Sequence, residues 1–265
     1  MADVVDPSRY ETKAPVNAGS NGTIPIREIE WVFFDFDGTL RHNEPNGMDT
    51  FHAFAAEAGL PLTPERRDEV VRWNHAYWAD SDDLRADTAE ADGDLDQRWR
   101  LYTRRHLQAI GAPGDRLDDL AESLQQRMAE EYQSVDLVPE DVQPTLKRLR
   151  AAGYRLALIS NRTDPIAGKV DELELDDVFE FTLAAGEVGW WKPDPRLLRY
   201  AAERAKVEPP AVVYVGDNPY ADVQGARNAG LHPVLIDTEG LFPDVDCPKI
   251  RRIGELQGLF GLDDL

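Results

Sequence analysis

Cysteine is almost absent from this chain: Cys247 is the only one in 265 residues. An internal disulfide is therefore excluded, which suggests a reducing compartment, with the cytoplasm the expected location, or simple indifference to redox. No motif surrounds Cys247, so it reads as an ordinary residue of a late loop. Positive charge is scarce too. There are 29 basic against 50 acidic residues, a net charge of −21, and arginine greatly outnumbers lysine. Broad binding to nucleic acid or to an anionic membrane needs a basic surface, so neither partner is expected. An anionic substrate would be repelled at long range, and a site for one must carry its own local positive charge. Long apolar runs are missing as well: none approaches the ~20 residues that span a bilayer. Residues 1–27 lack a periodic apolar pattern and are rich in Pro, Asn, Gly, Ser and Thr. They read as a flexible arm without the apolar stretch of a signal peptide.

What the chain does have is an apolar share of 42%, which supports a sizeable core in one large domain or a domain with an insert. Its organising stretch is 31–40, Trp-Val-Phe-Phe-Asp-Phe-Asp-Gly-Thr-Leu. A continuous apolar run of this kind reads as a buried parallel strand. It ends in two carboxylates, Asp35 and Asp37, and then Gly38, whose backbone can turn sharply or approach a ligand closely. In open α/β sheets ligands bind past the carboxyl ends of strands, where Asp35 and Asp37 would sit.

Three more stretches share this context. Ser160-Asn161 follows the apolar run 154–159. Lys192 stands between Trp191 and Pro193, on the approach to a helix. Gly216-Asp217-Asn218, with Asp222 four residues on from Asn218, follows the run 212–215. The second half alternates strand and helix patterns. Helices are expected over 140–153, from Asp164 as cap to 173, over 195–206 and over 220–229, and strands over 155–159, 178–183, 212–215 and 233–236. That alternation implies a parallel sheet. A docking helix is expected over 250–265. Between the first two motifs the pattern is helical: 48–59, a helix starting at Thr63-Pro64, a third around Trp99 to Ile110 and a fourth from Leu117 to Tyr132. The acidic stretch 80–96 reads as a loop, and no strand is evident there.

Taken together, the four motifs resemble those of the haloacid dehalogenase superfamily in its phosphatase form, the phosphoglycolate phosphatase-like type with a helical cap. The resemblance covers about 29–235, with the segment between the first two motifs matching by position and helical character only. It implies an α/β fold: a Rossmannoid parallel-sheet core, 28–43 and 136–265, carrying an α-helical cap inserted at 44–135. It implies a Mg2+-dependent phosphomonoester hydrolase acting on a small phosphorylated metabolite, as a monomer or homodimer. In such a site Asp35 attacks phosphorus and forms a phosphoaspartate. Asp37 protonates the leaving alcohol and then activates water, and its backbone carbonyl binds the metal. Asp35, Asp37, Asp217 and Asp222 are the expected metal set, with Asp222 either a ligand or a group that orients one. Gly38, Thr39, Ser160 and Asn161 are expected around the substrate phosphate, with Thr39 also positioning the motif loop. Lys192 neutralises the nucleophile and the developing charge. Asn218 is expected to orient Lys192 or an aspartate, and Arg162 to lie on the surface or, alternatively, to contact substrate. In the cap, Trp73, His75, Tyr77, Trp78, Arg98, Arg105 and His106 are candidates for substrate contact, set against a simple role in the cap's own core.

Other readings remain open. A haloacid dehalogenase needs no general acid, and Asp37 speaks against it. A phosphosugar mutase would pass the phosphoryl group to a second hydroxyl. A non-catalytic binding or regulatory protein on the same fold would not need the full set of polar groups that is present. Selectivity lives in caps and loops, so the substrate is not legible.

Overall fold

Ten α-helices and eight β-strands are found among the described residues, 24–262 of a computed structural model. Strand β1 (Trp31–Phe34) is followed by β2 (His42–Glu44) and four long helices, α1 (Gly47–Glu57), α2 (Pro64–Tyr77), α3 (Asp82–Ala91) and α4 (Leu95–Ile110). Then come α5 (Leu117–Glu131), β3 (Val135–Leu137), α6 (Val142–Ala151), β4 (Arg155–Ser160), α7 (Ala167–Glu172), β5 (Phe181–Ala184) and α8 (Pro195–Ala205). The chain closes with β6 (Val212–Gly216), α9 (Gln224–Ala229), β7 (His232–Ile236), β8 (Lys249–Ile250) and α10 (Leu256–Leu259).

Six strands form one parallel sheet in the order β5-β4-β1-β6-β7-β8. Strand β1 sits at its centre, and all four of its residues are buried. Its side chains alternate between faces, as strand geometry requires. Val32 and Phe34 join a core cluster with Leu146 and Leu149 of α6 and Val170 of α7. Trp31 and Phe33 join another with Leu197, Leu198 and Ala201 of α8 and Ala226 of α9. Both faces of the sheet are thus covered by apolar helix faces, which is why β1 reads as an unbroken hydrophobic run. From β1 the chain builds outward through β4 and β5, then crosses back to build β6, β7 and β8 on the other side. The reversal falls between β1 and β6, and the chain leaves both strands there through acidic residues.

The chain divides into two compact units, one ending at Arg41 and resuming at Val138, the other His42–Leu137. The second unit begins two residues before, and ends two after, the 44–135 expected for the cap, because His42–Glu44 and Val135–Leu137 pair as an antiparallel ribbon. The helices of this unit pack Phe51, Ala55, Val70, Leu107, Leu120 and Leu124 into a core of their own. Their starts carry ordinary caps: Asn46 accepts from Met48 N and Asp49 N, Thr63 from Arg66 N with Pro64 following, and Asp94 from Gln97 N.

Several expectations are corrected. The stretch 80–96 is not a loop: Ser81 caps α3, accepting from Leu84 N, with Asp82 and Asp83 in the first turn where the helix dipole favours them. Asp164 caps no helix, and α7 starts three residues later at Ala167. A single π-helical turn, Pro219–Val223, precedes α9. The tail contributes strand β8 and a short α10 in place of one longer helix. Residues 1–23 of the expected arm lie outside the described residues; of its last four, Ile24 is buried against the core. No helix among the described residues is long and apolar enough to cross a membrane.

Candidate active site

Parallel pairing brings three strand ends together. Phe34 is in register with Leu158 of β4 and Val215 of β6, so the residues that follow, Asp35, Ile159-Ser160 and Gly216-Asp217, emerge side by side. Asp35 is tied in by its own N–H, which donates to Val215 O (2.8 Å). Two glycines let the carboxylates close in. Gly38 has φ +84°, and a Cβ there would meet Asp217 Oδ2 at 2.4 Å; a Cβ on Gly216 would meet Asp222 Oδ2 at 2.3 Å. Both distances are far inside van der Waals contact, so only glycine fits these positions without movement.

At the centre is Lys192, 1% exposed. Its Nζ donates to Asp35 Oδ1 (2.6 Å), to Asp222 Oδ1 (2.8 Å) and to the Tyr214 hydroxyl (2.7 Å). Burial alone would discharge this ammonium; Asp222 and Asp35 outweigh it and push the Lys192 pKa well above its ordinary value. Burial pushes Asp35 up to about 7, against the pull of Lys192, and pushes Asp217 well above the usual carboxylate range, with Asp222 and Asp35 adding to the effect. The Thr39 hydroxyl lies 3.3 Å from Asp35 Oδ2 and 3.4 Å from Asp217 Oδ1. Asp222 also accepts from Asn218 N (2.9 Å).

Oxygens of Asp35, Asp217 and Asp222 lie within 4.8 Å of one another. Lys192 supplies one positive charge among these three carboxylates. When all three are ionised, the cluster has a surplus of negative charge in a largely buried place, which is costly unless a cation joins it. All-oxygen donors suit a hard divalent ion such as Mg2+. The residues present fit such an ion. The Asp37 side chain is not in this cluster; the contact expected of Asp37 is through its backbone carbonyl.

Asp37 instead faces two guanidinium groups. Arg162 Nε and Nη2 donate to its Oδ2 (2.6 Å) and Oδ1 (2.8 Å), and Arg41 Nη1 donates to Oδ1 (2.8 Å). Arg162 is therefore not a simple surface residue. Asn161 places the lysine loop: its Nδ2 donates to Lys192 O (2.9 Å) and its Oδ1 accepts from Lys192 N (2.7 Å). That is the role toward Lys192 expected of Asn218; Asn218 itself orients an aspartate, its N–H donating to Asp222 Oδ2, while its side chain caps the π turn at Tyr220 N and Ala221 N. Gly38 N–H donates to Arg41 O (2.9 Å), and the Thr39 hydroxyl lies against the Asp35 and Asp217 carboxylates. Ser160 is buried at the end of β4, its Oγ accepting from Arg162 N (3.3 Å). Tyr214 was missed from the sequence, although a phenol inside a run of valines is itself a sign, because a buried hydroxyl needs partners.

Within the second unit, several side chains named as candidates for substrate contact are engaged in its own packing. Tyr77 OH (3.0 Å) and Arg105 Nε (2.6 Å) both donate to buried Asp87, and Arg105 also pairs with Asp83. His106 is 1% exposed, stacked on Phe51 with centroids 4.4 Å apart. Trp73 packs against Tyr77, Tyr102 and His106, and Arg98 lies over the Trp78 ring.

Comparison with known proteins then decides the family: the haloacid dehalogenase-like hydrolase pattern matches residues 29–230. The chain belongs to that family. It is 39% identical over 216 residues to human haloacid dehalogenase-like hydrolase domain-containing protein 3, covering 80% of this chain and 82% of that one. It is 37% identical over 165 residues to a phosphoserine phosphatase of Thermus thermophilus, covering 62% and 64%. Among solved structures, a 2-haloacid dehalogenase from Pseudomonas syringae pv. Tomato superposes with a TM-score of 0.51 at 27% identity, covering 88% of this chain and 98% of that one. This haloacid dehalogenase-like hydrolase thus has both phosphatases and dehalogenases among its relatives.

Proposed function

We propose that this hydrolase cleaves a small phosphate monoester by way of a phosphoaspartate on Asp35, in a Mg2+-dependent reaction. The observation that carries the reading is the buried cluster of Asp35, Asp217 and Asp222 around Lys192. Its carboxylates call for a divalent cation, and its lysine offsets the charge of the attacking group. Asp35, Asp217 and Asp222 would hold the Mg2+, whose contribution is to screen the repulsion between an anionic nucleophile and an anionic ester.

In the first half-reaction Asp35 Oδ attacks phosphorus, the bond from phosphorus to the ester oxygen breaks, and a proton from Asp37 goes to the departing alkoxide. In the second, water attacks phosphorus, Asp37 takes its proton, and inorganic phosphate leaves with the Asp35 carboxylate restored. The Ser160 hydroxyl proton and the Asn161 backbone N–H would serve the phosphoryl oxygens. The Thr39 hydroxyl lies between the Asp35 and Asp217 carboxylates, and Asn161 sets the lysine loop. The phosphatase among the relatives supports a small phosphorylated metabolite as substrate.

The test is release of inorganic phosphate from a panel of small phosphate esters with Mg2+ and with EDTA. Metal-dependent release supports the reading; no release from any ester, or release indifferent to EDTA, contradicts it. A second reading, halide displacement from a 2-haloacid, draws on the engagement of Asp37 by Arg41 and Arg162, since that chemistry needs no proton donor, and on the dehalogenase among the structural relatives. Chloride release from 2-chloropropionate without phosphate release would favour it.

A further inference from the structure

We infer that Tyr214 is a positioning residue: its hydroxyl fixes the orientation in which the Lys192 ammonium meets Asp35 and Asp222, and turnover depends on that orientation. The inference rests on the phosphatase reading of the same site.

Tyr214 lies among Val212, Val213 and Val215 and is 0% exposed. A strand this deep needs no hydroxyl for packing, and burying one is unfavourable unless both its donor and its acceptor are used. Here both are. The Tyr214 hydroxyl lies 2.9 Å from Ile159 O and 2.7 Å from Lys192 Nζ. A carbonyl can only accept and an ammonium can only donate, so the direction of both bonds is set: the phenol gives its proton to Ile159 O and receives one from Lys192. Tyr214 is in register with Phe33 of β1, and β4 lies beyond β1 in the sheet. The hydroxyl therefore reaches past the central strand to the carbonyl just before Ser160.

An ammonium has three N–H donors. Asp35, Asp222 and Tyr214 take them at 2.6, 2.8 and 2.7 Å, with Ile159 O a longer contact at 3.4 Å. With the third donor anchored to a sheet-bound phenol, rotation about the Lys192 Cε–Nζ bond cannot take the other two off the carboxylates. The third acceptor is also neutral. A carboxylate in its place would add to a negative surplus that already exceeds what Lys192 offsets, whereas a phenol satisfies the donor without charge. Burial also pushes the Tyr214 pKa well above its ordinary value, so the hydroxyl keeps the proton it gives to Ile159.

Tyr214→Phe keeps the ring and removes both hydrogen bonds. With p-nitrophenyl phosphate and Mg2+ its kcat is expected to fall roughly tenfold or more, the scale of a lost hydrogen bond to a charged group, with KM changed by less than about threefold. Coupling to Lys192 is read from calorimetric affinity for fluoroberyllate in Mg2+, which needs no turnover. Tyr214→Phe should weaken that affinity in the wild-type background and leave it unchanged in Lys192→Gln. An unaffected kcat overturns the inference, as does an equal loss of affinity with and without Lys192, or a loss of activity that tracks the loss of folded protein by circular dichroism. A wild-type protein that releases no phosphate overturns the phosphatase reading, and this inference with it. An active wild type with an equally active Tyr214→Phe overturns this inference alone.

Discussion

Gly38 stands where an Ala Cβ would lie 2.4 Å from Asp217 Oδ2, on a backbone with φ +84°. Gly38→Ala therefore faces both a left-handed backbone cost of about 1–2 kcal/mol and displacement of a carboxylate. It should lower the thermal midpoint by several degrees and reduce phosphate release by at least about tenfold; wild-type behaviour in both would show that the loop gives way freely. A second prediction concerns His52 and His106, whose Nε2 atoms are 3.0 Å apart and whose buried Nδ1 atoms have no hydrogen-bond partner among the described residues. Burial pushes His106 down to about 3, helped by His52, and lowers His52 too, where Asp49 opposes and Arg67 assists. The unfolded chain takes up these protons near pH 6.5, so the stability from neutral imidazoles is complete above that and is lost as pH falls towards 3. His106→Phe should therefore lose less stability than the wild type between pH 7 and pH 5, by midpoints measured at each pH; parallel losses would contradict it. At this scale Asp35 and Asp217 were legible because a carboxylate directly after an apolar run has few other uses. Arg162 and Tyr214 were not, because their partners Asp37 and Lys192 lie 125 and 22 residues away and only the fold brings them together.

Helix α3 is the element the sequence hid. Its composition is acidic, and only Asp87 and Ala91 are buried, so no apolar stripe announces it. What holds it is the Ser81 cap together with the polar anchor of Asp87 on Tyr77 of α2 and Arg105 of α4. Asp87→Leu would leave the buried Tyr77 phenol without its acceptor and Arg105 with Asp83 alone, a loss of about 3 kcal/mol. The thermal midpoint should drop by about 10 °C, seen by circular dichroism; a drop under about 2 °C would mean that α3 is held by packing alone. The ribbon of β2 and β3 escaped notice for a related reason. Each strand is three residues long, too short to show alternation, and they pair across a separation that only the closed insert supplies. The core strands were legible, by contrast, since burial on both faces makes each a continuous apolar run.

Over the whole molecule the governing quantity is a net charge of −21. Self-repulsion of this size is screened by salt, so the thermal midpoint should rise between low and moderate ionic strength; no change would mean that the charges are already paired. A local surplus of carboxylates also stands at Asp35, Asp217 and Asp222, and millimolar Mg2+ should raise the midpoint beyond what equal ionic strength of NaCl achieves, an increment absent in Asp217→Asn. Fold class and the order of the four motifs could be read from the chain because strand–helix alternation and strand-end residues are local patterns; substrate choice could not, since it depends on side chains that pack together only after folding. The central claim is that Asp35 carries the phosphoryl group. The direct measurement is phosphate release from p-nitrophenyl phosphate with Mg2+ by wild type and Asp35→Asn, both shown folded. The account predicts metal-dependent turnover in the wild type and a loss of at least about a thousandfold in the variant, the effect of removing a nucleophile. An Asp35→Asn protein that retains the wild-type rate would contradict it.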